Sequence, residues 1–364
     1  MTVISAALAG ALGAGRLAVP AGAASRPPHS RTKPLNCDSS FNPYAYPQAA
    51  VSACGYQTFR RAATHALPGG GSSYDYRVHG VRVRFYVPGK NFNPGTATNA
   101  RLNEYGLPPR PAGHAGQGQR ASASLARWNT QMRGWKGAVT PPSFLAETRS
   151  TADSVVSGNW SGYAVSGQAN SYTHAEAWYV EPAFYGSVCS SNAEATWAGI
   201  GGYYGDGDGL GQDGTAHNVP GMANHEAWWE IVPGYNIVAV NFRGHPGYLF
   251  DASTRWLGNG YRFYFYDYYS RKTLAFDVSS SIYSGDSAEA IAERPLINGS
   301  LSNLSNFRTL TFRHAKANGN YFSRYSPRGV RHGIHMSDVT GRDMADPSTI
   351  GSYGNFTVKQ RSCY

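Results

Sequence analysis

The chain has 364 residues, a formal net charge of +10 and a mean hydropathy of −0.41. Charged residues make up only 15% while Gly and Tyr are abundant, a balance that suits a turn-rich all-β domain better than a helical one. The charge is uneven, 17 Lys+Arg against 5 Asp+Glu through residue 154 and 15 against 17 after it, which argues against a nucleic-acid footprint and makes the basic part a segment that covers something negative.

Residues 1–24 resemble a secretory signal with small residues before a cut near Ala23 or Ala24, although no Lys or Arg precedes the apolar run and Arg16 interrupts it. No later apolar run approaches 18 residues, so a secreted, soluble protein without a membrane partner is expected. The even set Cys37, Cys54, Cys189 and Cys363 fits export. Pairing Cys37 with Cys54 and Cys189 with Cys363 keeps each bridge within its own half, free buried thiols being the alternative. None has C-x-x-C spacing, so no zinc cluster is expected.

Residues 25–150 are rich in Pro, Gly, Arg and Ala and read as a small basic accessory unit ending in a linker. "VRVRFYVPG" (Val81–Gly89) is its one strong strand signal. In "SLARWNTQMRGWK", residues 124–136, Leu125, Trp128, Met132 and Trp135 fall at helical spacing, and "TPP" (Thr140–Pro142) follows as a stop. From Ser157 the chain becomes short aromatic or β-branched runs divided by Gly/Asn/Asp/Pro turns. That pattern implies an all-β fold, an antiparallel sandwich, over residues 155–364.

The chemistry-bearing stretches lie in that part. "GDGDGLGQDG" (Gly205–Gly214) fails as a calcium loop at Leu210 and His217 and is too acidic to cradle a phosphate, so a plain loop is its simplest reading. "HGIH" (His332–His335) lacks a third ligand nearby. "EAWWE" puts Glu226, Trp228 and Glu230 on one strand face. Its two carboxylates stand ~13 Å apart at ~3.3 Å per residue, too far for a glycosidase pair. "GDSAEAIAERP" (Gly285–Pro295) is ambiguous. Asp286 or Ser287 can cap a helix, whereas a strand would place Glu289, Ile291 and Glu293 on one face. Its neighbours favour a strand.

Six stretches occur in an order that resembles the glutamic peptidases, also called eqolisins or peptidase family G1. They are "NWSGY" (Asn159–Tyr163), "TWAGIGG" (Thr196–Gly202), "LGQDGT" (Leu210–Thr215), "AWWEIVP" (Ala227–Pro233), "AEAIAERP" (Ala288–Pro295) and "ADPSTIGSYGNFTV" (Ala345–Val358). The resemblance is to a bacterial-type member, and "NEYGLPPRP" (Asn103–Pro111) with the helix after it is similar to a prosegment. It implies a two-sheet antiparallel β-sandwich of the concanavalin-like jelly-roll type and a Gln/Glu dyad of Gln212 and Glu293, with Trp160, Trp197, Glu226, Trp228 and Glu230 lining the groove. It implies no cofactor or metal, polypeptide substrates, and the chain's own prosegment as an intramolecular inhibitor in a monomer. Gly201 stands where the family carries an acidic residue.

In that chemistry a glutamate near its ordinary ~4.3 remains partly ionised at pH ~3–4, and a glutamine amide donates at any pH. An acid-active endopeptidase matured at low pH is therefore expected. Arg and Lys of the prosegment would pair with the groove carboxylates, and the cut would fall around Leu145–Ser157. A lectin-like sandwich that binds glycans shares the fold and lacks only the dyad.

Overall fold

A computed structural model describes residues 41–54, 56–111, 118–147, 158–186, 192–205 and 209–363. The signal-like segment, Cys37, Cys189 and residues 148–157 lie outside them. Cys54 and Cys363 are not free thiols. No helix among the described residues is long and apolar enough to cross a membrane.

The N-terminal part forms more regular structure than its composition suggests. It contains α1 (Gln48–Ala53), β1 (Gln57–Leu67), β2 (Gly71–Val78), β3 (Val81–Val87), α2 (Asn99–Glu104), α3 (Gly118–Gly134) and β4 (Phe144–Glu147). The helix expected over residues 124–136 thus starts earlier and stops at Gly134. Trp135 lies just beyond it and donates its indole N–H to Thr273 at 3.0 Å. Leu145, expected in the linker, is a fully buried residue of β4.

Beyond residue 158 the aromatic runs form strands β5 (Trp160–Ser166), β6 (His174–Val180), β7 (Asn192–Ile200), β8 (Leu210–His217), β9 (Glu226–Val232), β10 (Tyr235–Arg243), β11 (Leu249–Trp256), β12 (Gly260–Asp267), β13 (Lys272–Ser279) and β14 (Ser287–Glu293). β15 (Thr309–Ala317), β16 (Arg331–Ile334), β17 (Asp343–Pro347) and β18 (Phe356–Gln360) follow. The stretch "SAEAIAE" is a central strand, as its neighbours favoured over its local propensity.

These strands make two antiparallel sheets. Sheet A runs β16–β5–β14–β7–β8–β9–β10–β4–β1. Sheet B runs β2–β3–β13–β12–β11–β6–β15–β18–β17. The N-terminal strands therefore extend both sheets of the sandwich. β1 joins them: Gln57–Arg60 pairs with β4, a bulge falls between Arg61 and Ala63, and the rest pairs with β2. A bulge is the usual device for such a bend.

Side chains alternate along each strand, which divides the sheets into inner and outer faces. Trp229, Ile231, Val238 and Val240 of sheet A meet Phe250, Phe263, Phe265 and Phe276 of sheet B in one core. Phe59, Val83, Phe85 and Leu145 belong to the same core, and the Phe85 ring centre lies 4.5 Å from that of Phe276. The α3 stripe works as its periodicity predicts. Trp128 and Met132 bury against Tyr264 and Tyr266 on the outer face of sheet B.

Candidate active site

The outer face of sheet A carries the chemistry. On β14, Ala288, Ala290 and Ala292 enter the core while Ile291 joins the outer cluster, so Glu289 and Glu293 face outward with it. The same alternation sends Gln212 outward between Leu210 and Ala216, and Glu226, Trp228 and Glu230 outward opposite Ala227, Trp229 and Ile231. Gln212 and Glu293 thus share a face, two strands apart.

Register orders this face. Glu289, Gly199, Gln212 and Glu230 form one cross-strand row; Ile291, Trp197, Gly214 and Trp228 form the next; Glu293, Ala195, Ala216 and Glu226 form the third. Gly199 leaves the room this requires. A Cβ there would stand 2.8 Å from the Trp197 ring and 3.2 Å from the Gln212 Cβ.

Glu293 is held by neutral donors. The Asn159 amide donates to its Oε1 at 2.9 Å and the Trp197 indole N–H to its Oε2 at 2.7 Å. Burial pushes this carboxyl up to about 7, against the pull of Trp197 and then Asn159, which favour the charged form. The side chain keeps some exposure, as a group that must meet water requires.

Gln212 is 3% exposed and donates its Nε2 to Glu230 Oε2 at 2.6 Å. No described hydrogen bond joins it directly to Glu293. Glu230 is pushed up to about 8, first by burial and then by the charge of Glu293 nearby, with the Gln212 amide opposing. Gln212 Oε1, Glu230 Oε1 and the indole nitrogens of Trp160 and Trp228 are buried without a protein partner. Such orphaned groups are expected where a substrate or water supplies the missing bonds.

Other expected residues do different work. Glu226 is fully buried and accepts backbone N–H groups of Ala223 at 2.8 Å and Asn241 at 3.0 Å, so it anchors the turn before β9 to β10. Burial raises it to about 7. Trp160 and Trp197 meet edge to face with ring centres 4.9 Å apart. The Arg/Lys pairing expected for Glu226, Glu230 and Glu293 is not found among the described residues, where all three take neutral donors. His332 instead hydrogen-bonds Ser166 at 2.8 Å and His335 meets Asp346 at 3.0 Å.

Gly201 sits at φ +90°, where a Cβ would stand 2.1 Å from the Gly209 carbonyl oxygen. This backbone leaves no room for the acidic side chain the resemblance would place there. Sequence reasoning missed Asn159 as a site residue, although it opens the "NWSGY" stretch. The available signal was its place beside Trp160, facing the end of β14.

The sandwich with this Glu- and Gln-bearing face is a scaffold for water-dependent bond cleavage, and comparison with known proteins narrows it. A family model matches residues 158–359, and the chain accordingly belongs to the Peptidase A4 family, the glutamic peptidases of group G1. It is a peptidase, with polypeptides as substrates. Among solved structures, scytalido-glutamic peptidase with a peptide-based transition state analog is similar at 18% identity over 57% of this chain and 100% of that one, with a TM-score of 0.44. SCP-B, an eqolisin in complex with the tripeptide Ala-Ile-His, gives 16% identity, 57% and 100% coverage and a TM-score of 0.42. Aspergilloglutamic peptidase from Aspergillus niger gives 16%, 47% and 99%, and 0.39. No curated protein sequence matches this chain.

Proposed function

We propose that the chain is a secreted, monomeric endopeptidase in which Glu293 activates water and Gln212 stabilises the oxyanion. The observation that carries this reading is Glu293 on the same sheet face as Gln212, gripped by Asn159 and Trp197. Ionised Glu293 takes a proton from water as the oxygen attacks the scissile carbonyl. One N–H of Gln212 is engaged by Glu230, and the other is directed to the developing oxyanion. The proton on Glu293 then passes to the leaving amine, the C–N bond breaks, and Glu293 is again a carboxylate.

The charge of Glu293 is, after burial, a cause of the rise of Glu230. With Glu230 the higher of the two, the pair holds one charge over the working range, on Glu293. Neutral Glu230 orients Gln212 without competing for the proton. The expectation of activity at pH ~3–4 assumed an ordinary carboxyl, and burial moves Glu293 upward from that value. The acid limb of kcat/KM belongs near pH 7 and the alkaline limb near pH 8.

Maturation is proposed to cut the linker between Glu147 and Gly158 while strand pairing keeps the N-terminal part docked. Casein digestion across pH, insensitive to pepstatin and chelators and lost in Glu293→Gln, tests the mechanism. Undiminished digestion by Glu293→Gln overturns it. Normal processing of a Glu293→Ala precursor under the conditions in which the unsubstituted precursor matures overturns self-cleavage.

A further inference from the structure

A second concavity lies on the opposite side of the molecule. On the outer face of sheet B, a cleft of about 1160 Å³ opens between α3 with the loop before it and strands β6, β11, β12 and β15. It is larger than the ~300–1,000 Å³ of an ordinary small-molecule site. Its floor is a grid of cross-strand neighbours, with Arg262 beside Arg255 beside His174, and Tyr264 beside Ser253 beside Glu176 beside Lys316.

The charges of this grid do not cancel. Glu176 is taken by Lys316 at 2.6 Å, and Arg262 by Asp277 at 2.7 Å. Arg255, half-buried, has Arg262 as its cross-strand partner and, among the described residues, no carboxylate at ion-pair distance and no hydrogen bond. Like charges directly opposite destabilise a sheet. Arg127 on α3 lies over the Tyr321 ring at 5.8 Å, and Arg324 reaches only the Asn320 amide at 3.2 Å. Three guanidiniums therefore converge on the cleft without an acidic partner. Two buried polar groups lining it are also incomplete. Trp178, 7% exposed, has no acceptor for its indole N–H, and Asp251, 4% exposed, has no partner for Oδ1.

Three tryptophan rings of the cleft each have a neighbour over one face. Trp256 stacks on Tyr283 at 4.3 Å and 2°, Trp128 lies under Arg110 at 4.9 Å, and Trp178 under Lys316 at 5.5 Å. One face of each of these rings is taken, and guanidinium forks suit carboxylates.

We propose that this cleft binds an acidic peptide segment, a run of Asp or Glu residues whose carboxylates are taken by Arg255, Arg127 and Arg324. The site is non-catalytic and independent of Gln212 and Glu293. Its walls come from both sides of the linker, α3 on one and β6, β11 and β12 on the other. An occupant therefore holds the N-terminal part against the sandwich by mass action.

The test uses the full chain carrying Glu293→Gln, so that no probe is cut, and measures binding of fluorescein-labelled hexa-aspartate at neutral pH and low salt. Saturable binding is expected, weakened about tenfold or more by Arg255→Gln, partly restored by Arg255→Lys, and weakened by added salt. Arg324→Gln, at an exposed position, gives a second loss without a packing change. Absence of saturable binding, affinity indifferent to both arginine variants, or a hexa-uronate oligosaccharide binding as well as the peptide overturns the proposal. Because no readout is catalytic, its failure is distinct from failure of the peptidase mechanism.

Discussion

Deleting the Asn159 amide removes one of the donors that favour ionised Glu293. The carboxyl must then rise further, so Asn159→Ala should move the acid limb of kcat/KM upward, by about one pH unit for a charge-assisted bond near 1.5 kcal/mol. Profiles of both proteins check this, and an unchanged limb would remove Asn159 from the mechanism. Gln212→Ala should lower kcat about 10²–10³-fold with the fold intact, as for loss of one oxyanion donor. Glu230→Gln should abolish the alkaline limb near pH 8 while leaving the acid limb in place. Gly201→Asp should lower the melting temperature rather than raise activity, because its Cβ meets a backbone carbonyl. The proposed dyad could be read from two local motifs. The partners of each carboxyl could not, since Asn159 lies 134 residues from Glu293.

Elements decide how the two parts of the chain hold together. β3 pairs with β13 and β4 pairs with β10, and Phe85 packs against Phe276 inside the shared core. Phe85→Ala should destabilise the whole protein by about 3–5 kcal/mol in one cooperative transition. Two separate transitions by calorimetry would instead mean that the N-terminal part folds independently. The strand at Ser287–Glu293 was legible only through its neighbours, because Ala and Glu favour a helix locally. β1 was not legible. Its "QTFRRAATHAL" alternates poorly, since it changes sheets midway and each half obeys a different face. α3 kept its period because one stripe meets one sheet.

For the whole molecule, the buried carboxyls set the response to pH. Folding keeps Glu226 and Glu293 protonated up to about 7 and Glu230 up to about 8, whereas an unfolded chain ionises them near ~4.3. Between those values the native state binds more protons, so stability falls as pH rises. His174, His217 and His314, lowered by burial to about 3, 3 and 4, act in the opposite sense, but only below ~6.5. From ~6.5 to ~8 the raised carboxyls dominate, and stability should drop on the order of 1–2 kcal/mol per pH unit. Thermal melts at fixed ionic strength check this, and a rise in melting temperature over that interval would contradict it. The strand that bends from one sheet to the other has a consequence for synthesis. β1 to β4 pair among themselves early, but one edge of β3 and one edge of β4 stay open until β13 and β10 emerge. Such non-local closure is slow. Until then the N-terminal strands present two open sheet edges that only the rest of the sandwich can cover.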